Sequence, residues 1–172
     1  MNGISVRPYR AEDAQHLYAA ARESVDDVFP WLPWCHPQYS LEDAMAWARS
    51  REELAHQALE YHFVIAGEQD AFLGGCGINQ INRIHRFGNL GYWVRSSQTG
   101  RGVAASAVAL LARFAFQNTD LIRLEIVCAV GNHRSQRAAE KAGAQREGIL
   151  RDRLLLRGTP HDAVMYSMVK TR

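Results

Sequence analysis

The spacing of apolar residues changes several times along the chain, and each change marks a predicted element. "ISVRPY", from residue 4, alternates with a period of two, as a half-buried strand does. From about Glu12 the period lengthens, and Ala14, Leu17, Tyr18, Ala21 and Val25 recur at helical spacing. Three of the five prolines then fall in "DDVFPWLPWCHPQY", so no long regular element fits there. Ser40 with Asp43 three residues on is close to a capping box, which predicts a second helix to about Leu59.

"YHFVIAGEQDAFLGGCGINQI" reads as two strands about a turn at residues 67–70, and "FGNLGYWV" as another strand. Gly91 inside that strand marks a bulge or a close backbone approach. Val103, Ala107, Leu110, Leu111 and Phe114 make one helical stripe. In "LIRLEIVCAV" the alternation puts Ile122, Leu124, Ile126, Cys128 and Val130 on one strand face. Asn132 is a natural N-cap for a short helix that Gly143 ends. Two last strands meet at a turn near residues 157–160. The predicted order is β-α-α-β-β-β-α-β-α-β-β, a mixed sheet with helices on its faces.

Composition narrows the partners. A chain of 172 residues that is 47% apolar fits a single domain, 1–172, with a sizeable core. Its net charge of +2 offers neither nucleic acid nor a membrane surface an electrostatic footing, so neither is an expected partner. Cys35, Cys76 and Cys128 are odd in number and widely spaced, which argues against a disulfide framework and against a metal site. The N-terminus lacks a basic-then-apolar leader, and no run of 18 apolar residues occurs, so a cytoplasmic location is expected.

The stretch "SSQTGRGVAASAV" carries the chemistry. A glycine turn opening onto a helix N-terminus presents unpaired amides to an anion, and the missing Cβ atoms allow a phosphate to approach. A tight turn without a ligand would use the same two glycines. No lysine follows, which removes the nucleoside-triphosphate loop. "GRGVAA" also fits a dinucleotide fingerprint with Glu125 about twenty residues on. However, Glu125 stands mid-strand, and too little chain follows for that fold.

"GYWVRSSQTGRGVAASAVALLARFAF", "LIRLEIVCAVGNHRSQRAAEKAGAQREG" and "HDAVMYSMV" resemble the GNAT superfamily of N-acetyltransferases. With "WLPWCHPQYSLEDAMAWA", they are most similar to its RimJ/RimL-type branch, the ribosomal-protein acetyltransferases. The resemblance implies an α/β (α+β) fold whose mixed, mostly antiparallel sheet is splayed at its centre, with helices on both faces. It also implies acetyl-CoA as the donor, bound in the splay. Tyr92, Trp93 and Val94 would then lie along the pantetheine arm, and Gly100, Arg101, Gly102, Val103 and Ala104 would wrap the pyrophosphate. Thr99 holds the place where Gln or Arg is usual, so a side-chain contact falls to Arg95 or Arg101. Asn132 would sit near the pantetheine amide and Ser135 near the thioester sulfur. Ser135 gains importance because Ala139 stands where many relatives carry a tyrosine.

Acetyl transfer to an amine needs the amine deprotonated, the thioester carbonyl polarised and the departing thiolate stabilised. Ser135 is the candidate for the last task. Two places where relatives carry acids hold Leu154 and Asn89, which leaves Glu125 as the candidate base. Glu125 paired structurally with Arg123 is the competing reading. His85, or a water relay with no dedicated base, would also serve.

Trp31, Trp34 and His36 are candidates for an acceptor groove; alternatively the tryptophans cover the core. Asp162 is expected to pin the last hairpin. The expected acceptor is a protein N-terminal α-amine. A small-molecule amine, or an idle acyl-CoA-binding module, is the alternative. A homodimer is common among similar enzymes, and no sequence feature selects for or against one.

Overall fold

The computed structural model describes residues 3–171. The elements follow the predicted order: β1 (Ser5–Pro8), α1 (Asp13–Val28), α2 (Leu41–His56), β2 (Tyr61–Ala66), β3 (Phe72–Asn82), β4 (Phe87–Val94), α3 (Val103–Asn118), β5 (Arg123–Ala129), α4 (His133–Lys141), β6 (Gln145–Leu156) and β7 (Thr159–Val169). The strands form one sheet in the order β1-β2-β3-β4-β5-β7-β6. Every neighbouring pair is antiparallel except β4 and β5. No helix among the described residues is long and apolar enough to cross a membrane.

Local chemistry explains most boundaries. Ser40 and Asp43 cap α2 reciprocally, with Asp43 N–H donating to Ser40 Oγ (3.1 Å) and Ser40 N–H to Asp43 Oδ2 (2.9 Å). The helix stops at His56 rather than near Leu59, because Ala58 adopts a left-handed conformation and Leu59 N–H turns back to Leu54 O. Conversely, α1 runs on through "DDV" before the prolines begin. β6 and β7 join through Arg157 and Gly158, both at positive φ, the twist a two-residue hairpin requires.

Alternation along β2 divides the molecule into two apolar layers. Phe63 and Ile65 face α3 and α4, together with Ile78, Leu90, Leu111, Leu124, Ile126 and Tyr166. Val64 and Ala66 face α1 and α2, with Leu17, Ala20, Ala21 and Ala44. A strand buried on both faces reads as a continuous apolar run, which is what "YHFVIA" shows. The predicted stripes are corrected at their margins. Ile122 and Val130 lie just outside β5 and are exposed, and in α3 Val108, Ala112 and Ala115 are buried more completely than Leu110 and Phe114.

The junction of β3 with β4 depends on a glycine. At Gly74 (φ +155°) a Cβ would stand 2.2 Å from the Trp93 carbonyl oxygen. That close approach holds the end of β4 against β3. It is the end at which β4 leaves its other neighbour.

Candidate active site

β4 and β5 share only three parallel pairs, Phe87–Arg123, Gly88–Leu124 and Asn89–Glu125. Beyond them the strands part, and residues 90–94 face residues 126–129 across a gap. Backbone donors and acceptors along such a gap are free to pair with an extended ligand, as with an added strand. The cleft has a volume of about 980 Å³ and is lined by the full width of both parted strands. Gly91 belongs to this wall. It is no bulge, since it pairs in register with Gly77, and a Cβ there would meet nothing within 4 Å.

At one end stands the N-terminus of α3. Gly100 and Gly102 hold left-handed backbone (φ 76° and 79°), and a Cβ at either would point into open space. Gly102 caps the helix without a side chain, and Ser106 N–H is the first amide to bond back, to Gly102 O (3.0 Å). The amides before it are left for an anion. Thr99 lines this end too, but its hydroxyl donates to Ser96 O (2.9 Å) and is committed to its own loop.

The side-chain cations expected here are elsewhere. Arg95 is drawn off to Glu23 on α1 and to Phe72 O, and neither Arg95 nor Arg101 lines the cleft. Besides Arg153 of β6, the Arg and Lys side chains that line it are Arg134, Arg137 and Lys141, on one face of α4. Their i, i+3, i+7 spacing was visible in the sequence.

On the wall between these ends, three polar groups converge. Tyr92 Oη donates to Ser135 O (2.8 Å), Ser135 Oγ donates to Tyr92 Oη (3.0 Å), and Cys128 Sγ lies 3.2 Å from Ser135 Oγ. Asn132 caps α4, its Oδ1 accepting from Ser135 N–H (3.1 Å), and so fixes that serine. Burial raises the Tyr92 phenol well above its ordinary value and raises the Cys128 thiol as well. Both groups are therefore protonated at neutral pH. Ala139 is fully buried, and the tyrosine hydroxyl beside the serine comes from β4 instead.

The other mouth of the cleft is formed by Trp31 and Leu32 from the α1–α2 segment, Gln80 of β3, Asn89 of β4, and Arg153 and Leu154 of β6. Trp31 packs on the β5–α4 turn, where a Cβ at Gly131 would stand 3.4 Å from its ring. Asn89 Nδ2 donates to Asn79 Oδ1 (2.9 Å). Asn89 and Leu154, the two places where the family resemblance implies an acid, thus line the cleft and carry none.

The remaining candidates fall outside it. Trp34 packs edge-on against Tyr39 and Trp93 (5.3 and 5.2 Å between ring centres), so it covers the α1/α2 layer rather than the groove. The Trp93 ring shares that layer, although its backbone lines the cleft. His36 packs beside Tyr39 at 6.2 Å, with Nδ1 buried and unpaired, and does not reach the cleft. Glu125 accepts from Arg123 Nε (2.8 Å), and Arg123 also binds Glu147, whose carboxyl it pulls down to about 2 with help from Ser167. That ion-paired Glu125 is not among the lining residues. His85 sits in the β3–β4 turn, exposed, its N–H bound to Asn82 Oδ1.

Known proteins resemble this chain in sequence and in fold. The acetyltransferase (GNAT) domain matches residues 4–145. YdaF of Bacillus subtilis (strain 168), provisionally named a ribosomal N-acetyltransferase, is 27% identical over 97% of this chain and 91% of its own. Among solved structures, RimL, a ribosomal L7/L12 alpha-N-protein acetyltransferase in complex with coenzyme A, superposes with a TM-score of 0.88 at 23% identity, over 98% of this chain and 95% of its own. The microcin C7 self-immunity acetyltransferase MccE, in complex with acetyl-CoA and AMP, gives 0.89 at 20%, over 98% and 93%. At these identities the structural likeness establishes the splayed mixed fold.

Proposed function

This chain belongs to the acetyltransferase (GNAT) family, and we propose that its acceptor is the α-amine of a protein N-terminus. It is an N-acetyltransferase with acetyl-CoA as its donor. The acceptor reading rests on the charge of the cleft. Only Asp26 and Asp27 among its lining residues are acidic, and Asp27 is taken by Arg134 (3.0 Å) and Ser96 Oγ (2.5 Å). A polyamine or aminoglycoside needs several free carboxylates, whereas an N-terminus brings one charge and a train of amides. Gln80, Asn89 and Trp31 suit such a chain. Relatives named for ribosomal N-acetylation support the same reading. A cytoplasmic site of action follows from an acceptor of that kind.

The cleft fits the donor on its own geometry, with a glycine turn clear of Cβ atoms, a helix N-terminus, three cations on one helix face and an unpaired strand edge. The amides around Gly100 to Ala104, with Arg137 and Lys141, would hold its phosphates, and the β4 edge its amide arm. Bound there, the donor supplies an acetyl thioester. A β4 N–H facing the gap is a fixed donor for a developing oxyanion. Ser135 Oγ holds a proton at the cleft wall, with Tyr92 and Cys128 protonated behind it. Leu90, Ile126 and Leu154 add apolar surface to the cleft wall. With no free carboxylate at the acceptor mouth, the amine enters as its neutral fraction, which an α-amine with a pKa of about 8 supplies in useful amount. Release of CoA thiol with N-terminal peptides, and none with polyamines or aminoglycosides, is the expected result; the reverse order would refute the acceptor.

A further inference from the structure

We infer that Arg153 reads a carboxylate on the acceptor, so that preferred acceptors carry an acidic group close to the amine that is acetylated. The inference rests on the N-terminal-amine reading for the class of acceptor, but its chemistry is tested separately below.

Two irregular strand segments contribute to the lining of the cleft at its acceptor mouth. β6 pairs with β7 at Leu150–Ala163 and again at Leu154–His161, so three residues of β6 stand opposite Asp162 alone. Inside this bulge Asp152 holds a positive φ (48°), and its N–H donates to Asp162 Oδ1 (2.9 Å). Bulges bend a strand and re-aim its side chains, often beside active sites. Across the mouth, β3 breaks register between Asn79 and Asn82, with Gln80 at φ 50°. Non-glycine residues held at positive φ are uncommon, and here each break puts a polar side chain, Arg153 or Gln80, on the lining.

The charge at this mouth is unmatched. Arg153 is exposed and has no hydrogen bond or ion pair among the described residues, unlike Arg7, Arg51, Arg95, Arg123 and Arg134. Of the acids on its hairpin, Asp162 is spent on the Asp152 amide, and the adjacent Asp152 carboxylate makes no ion pair with Arg153 among the described residues. A guanidinium fork with open donors, in a cleft that the Gln80 amide also lines, is suited to a carboxylate. The carboxylate belongs either to an acidic side chain near a peptide N-terminus or to the α-carboxylate of a free amino acid.

The test uses acid/amide pairs. Peptides sharing one N-terminal residue carry Glu or Gln at the second and third positions, and small amino acids are paired with their carboxamides. Turnover and equilibrium binding are both measured. The acid member is expected to show kcat/KM about three- to tenfold higher. In Arg153→Gln that ratio falls toward one, in Arg153→Lys part of it survives, and the KM for acetyl-CoA does not move. A preference confined to the amino acids, with no peptide turned over, would leave the carboxylate inference standing and refute the peptide acceptor. Equal rates and equal affinities across all pairs would overturn it. So would an Arg153→Gln defect expressed in the KM for acetyl-CoA, which would place Arg153 on the donor.

Discussion

Tyr92 and Ser135 are bound to each other twice: the phenol donates to the serine carbonyl oxygen, and the serine hydroxyl donates to the phenol oxygen. One residue comes from the strand edge that flanks the cleft, the other from the first turn of α4. The double bond therefore spans the gap between β4 and the helix that follows β5. It fixes where Ser135 Oγ stands without using a charge. It also brings a tyrosine hydroxyl to the serine by a route that motif spacing, pointing to Ala139, did not indicate.

Removing either hydroxyl should separate chemistry from binding. Ser135→Ala is expected to lower kcat by about tenfold to a hundredfold, the lower part of what a positioned proton donor contributes, with the KM for acetyl-CoA little changed. Tyr92→Phe should produce a smaller loss in the same direction, since Ser135 keeps its hydroxyl but loses its support. Initial rates at saturating donor measure both. An unaltered kcat in Ser135→Ala would remove its catalytic role.

An acceptor mouth lined by Gln80, Asn89, Arg153 and Leu154, with no carboxylate base, makes a simple pH profile. Below about pH 8 the neutral fraction of an α-amine rises tenfold per unit, so kcat/KM for the acceptor should climb with unit slope and level off near that value. An additional inflection between pH 5 and 7 with an acceptor of known pKa would reveal an enzymatic base and contradict this account.

Glu125 should prove structural. Its carboxylate is bound to Arg123, which Glu147 holds from the other side. Glu125→Gln is expected to keep turnover while losing up to about 1 kcal/mol of stability, the usual range for such pairs. Thermal melting and initial rates on the same preparation decide it. A collapse of kcat with an unchanged melting temperature would restore Glu125 as the base.

The loop that precedes the glycine turn should be acid-sensitive. Hydrogen bonds from Arg95, with help from Ser97, pull the Glu23 carboxyl from 4.5 down to about 2. A depressed acid stabilises the fold above its unfolded pKa, and that contribution is lost as pH falls through the folded one. The wild type should therefore lose melting temperature between pH 4.5 and about 2 more steeply than Glu23→Gln does. Parallel curves in that window would show that the pair contributes nothing.

Much of this was legible in the sequence. The strand at residues 87–94, the Asn132 cap, the Ser40–Asp43 cap and the Arg157 turn each carry a local signal of one residue type in one conformation. The glycine loop was legible for the same reason. Trp34 and Trp31 share a segment and a residue type, yet one covers a core layer and the other lines the cleft. Only the position of Trp93 on the neighbouring sheet face separates them. Arg153 and Gln80 were invisible because their strand breaks fall at Asp152 and Gln80, with no glycine or proline to announce them. The Glu125–Arg123 pair was legible as the competing reading, whereas the hold of Glu147 on Arg123 joins residues 24 apart and carries no local signal.

The most direct test of the whole account is the position of the acetyl group after reaction. A peptide with a free N-terminus and one internal lysine is incubated with acetyl-CoA and either wild type or Gly102→Glu, and the product is mapped by mass spectrometry. Gly102 stands at positive φ before open space, so the glutamate would project where the donor's phosphates belong. Acetylation of the α-amine by the wild type, lost in the variant together with acetyl-CoA binding, is the predicted result. A lysine-only product, or a variant that binds acetyl-CoA as well as the wild type does, would contradict it.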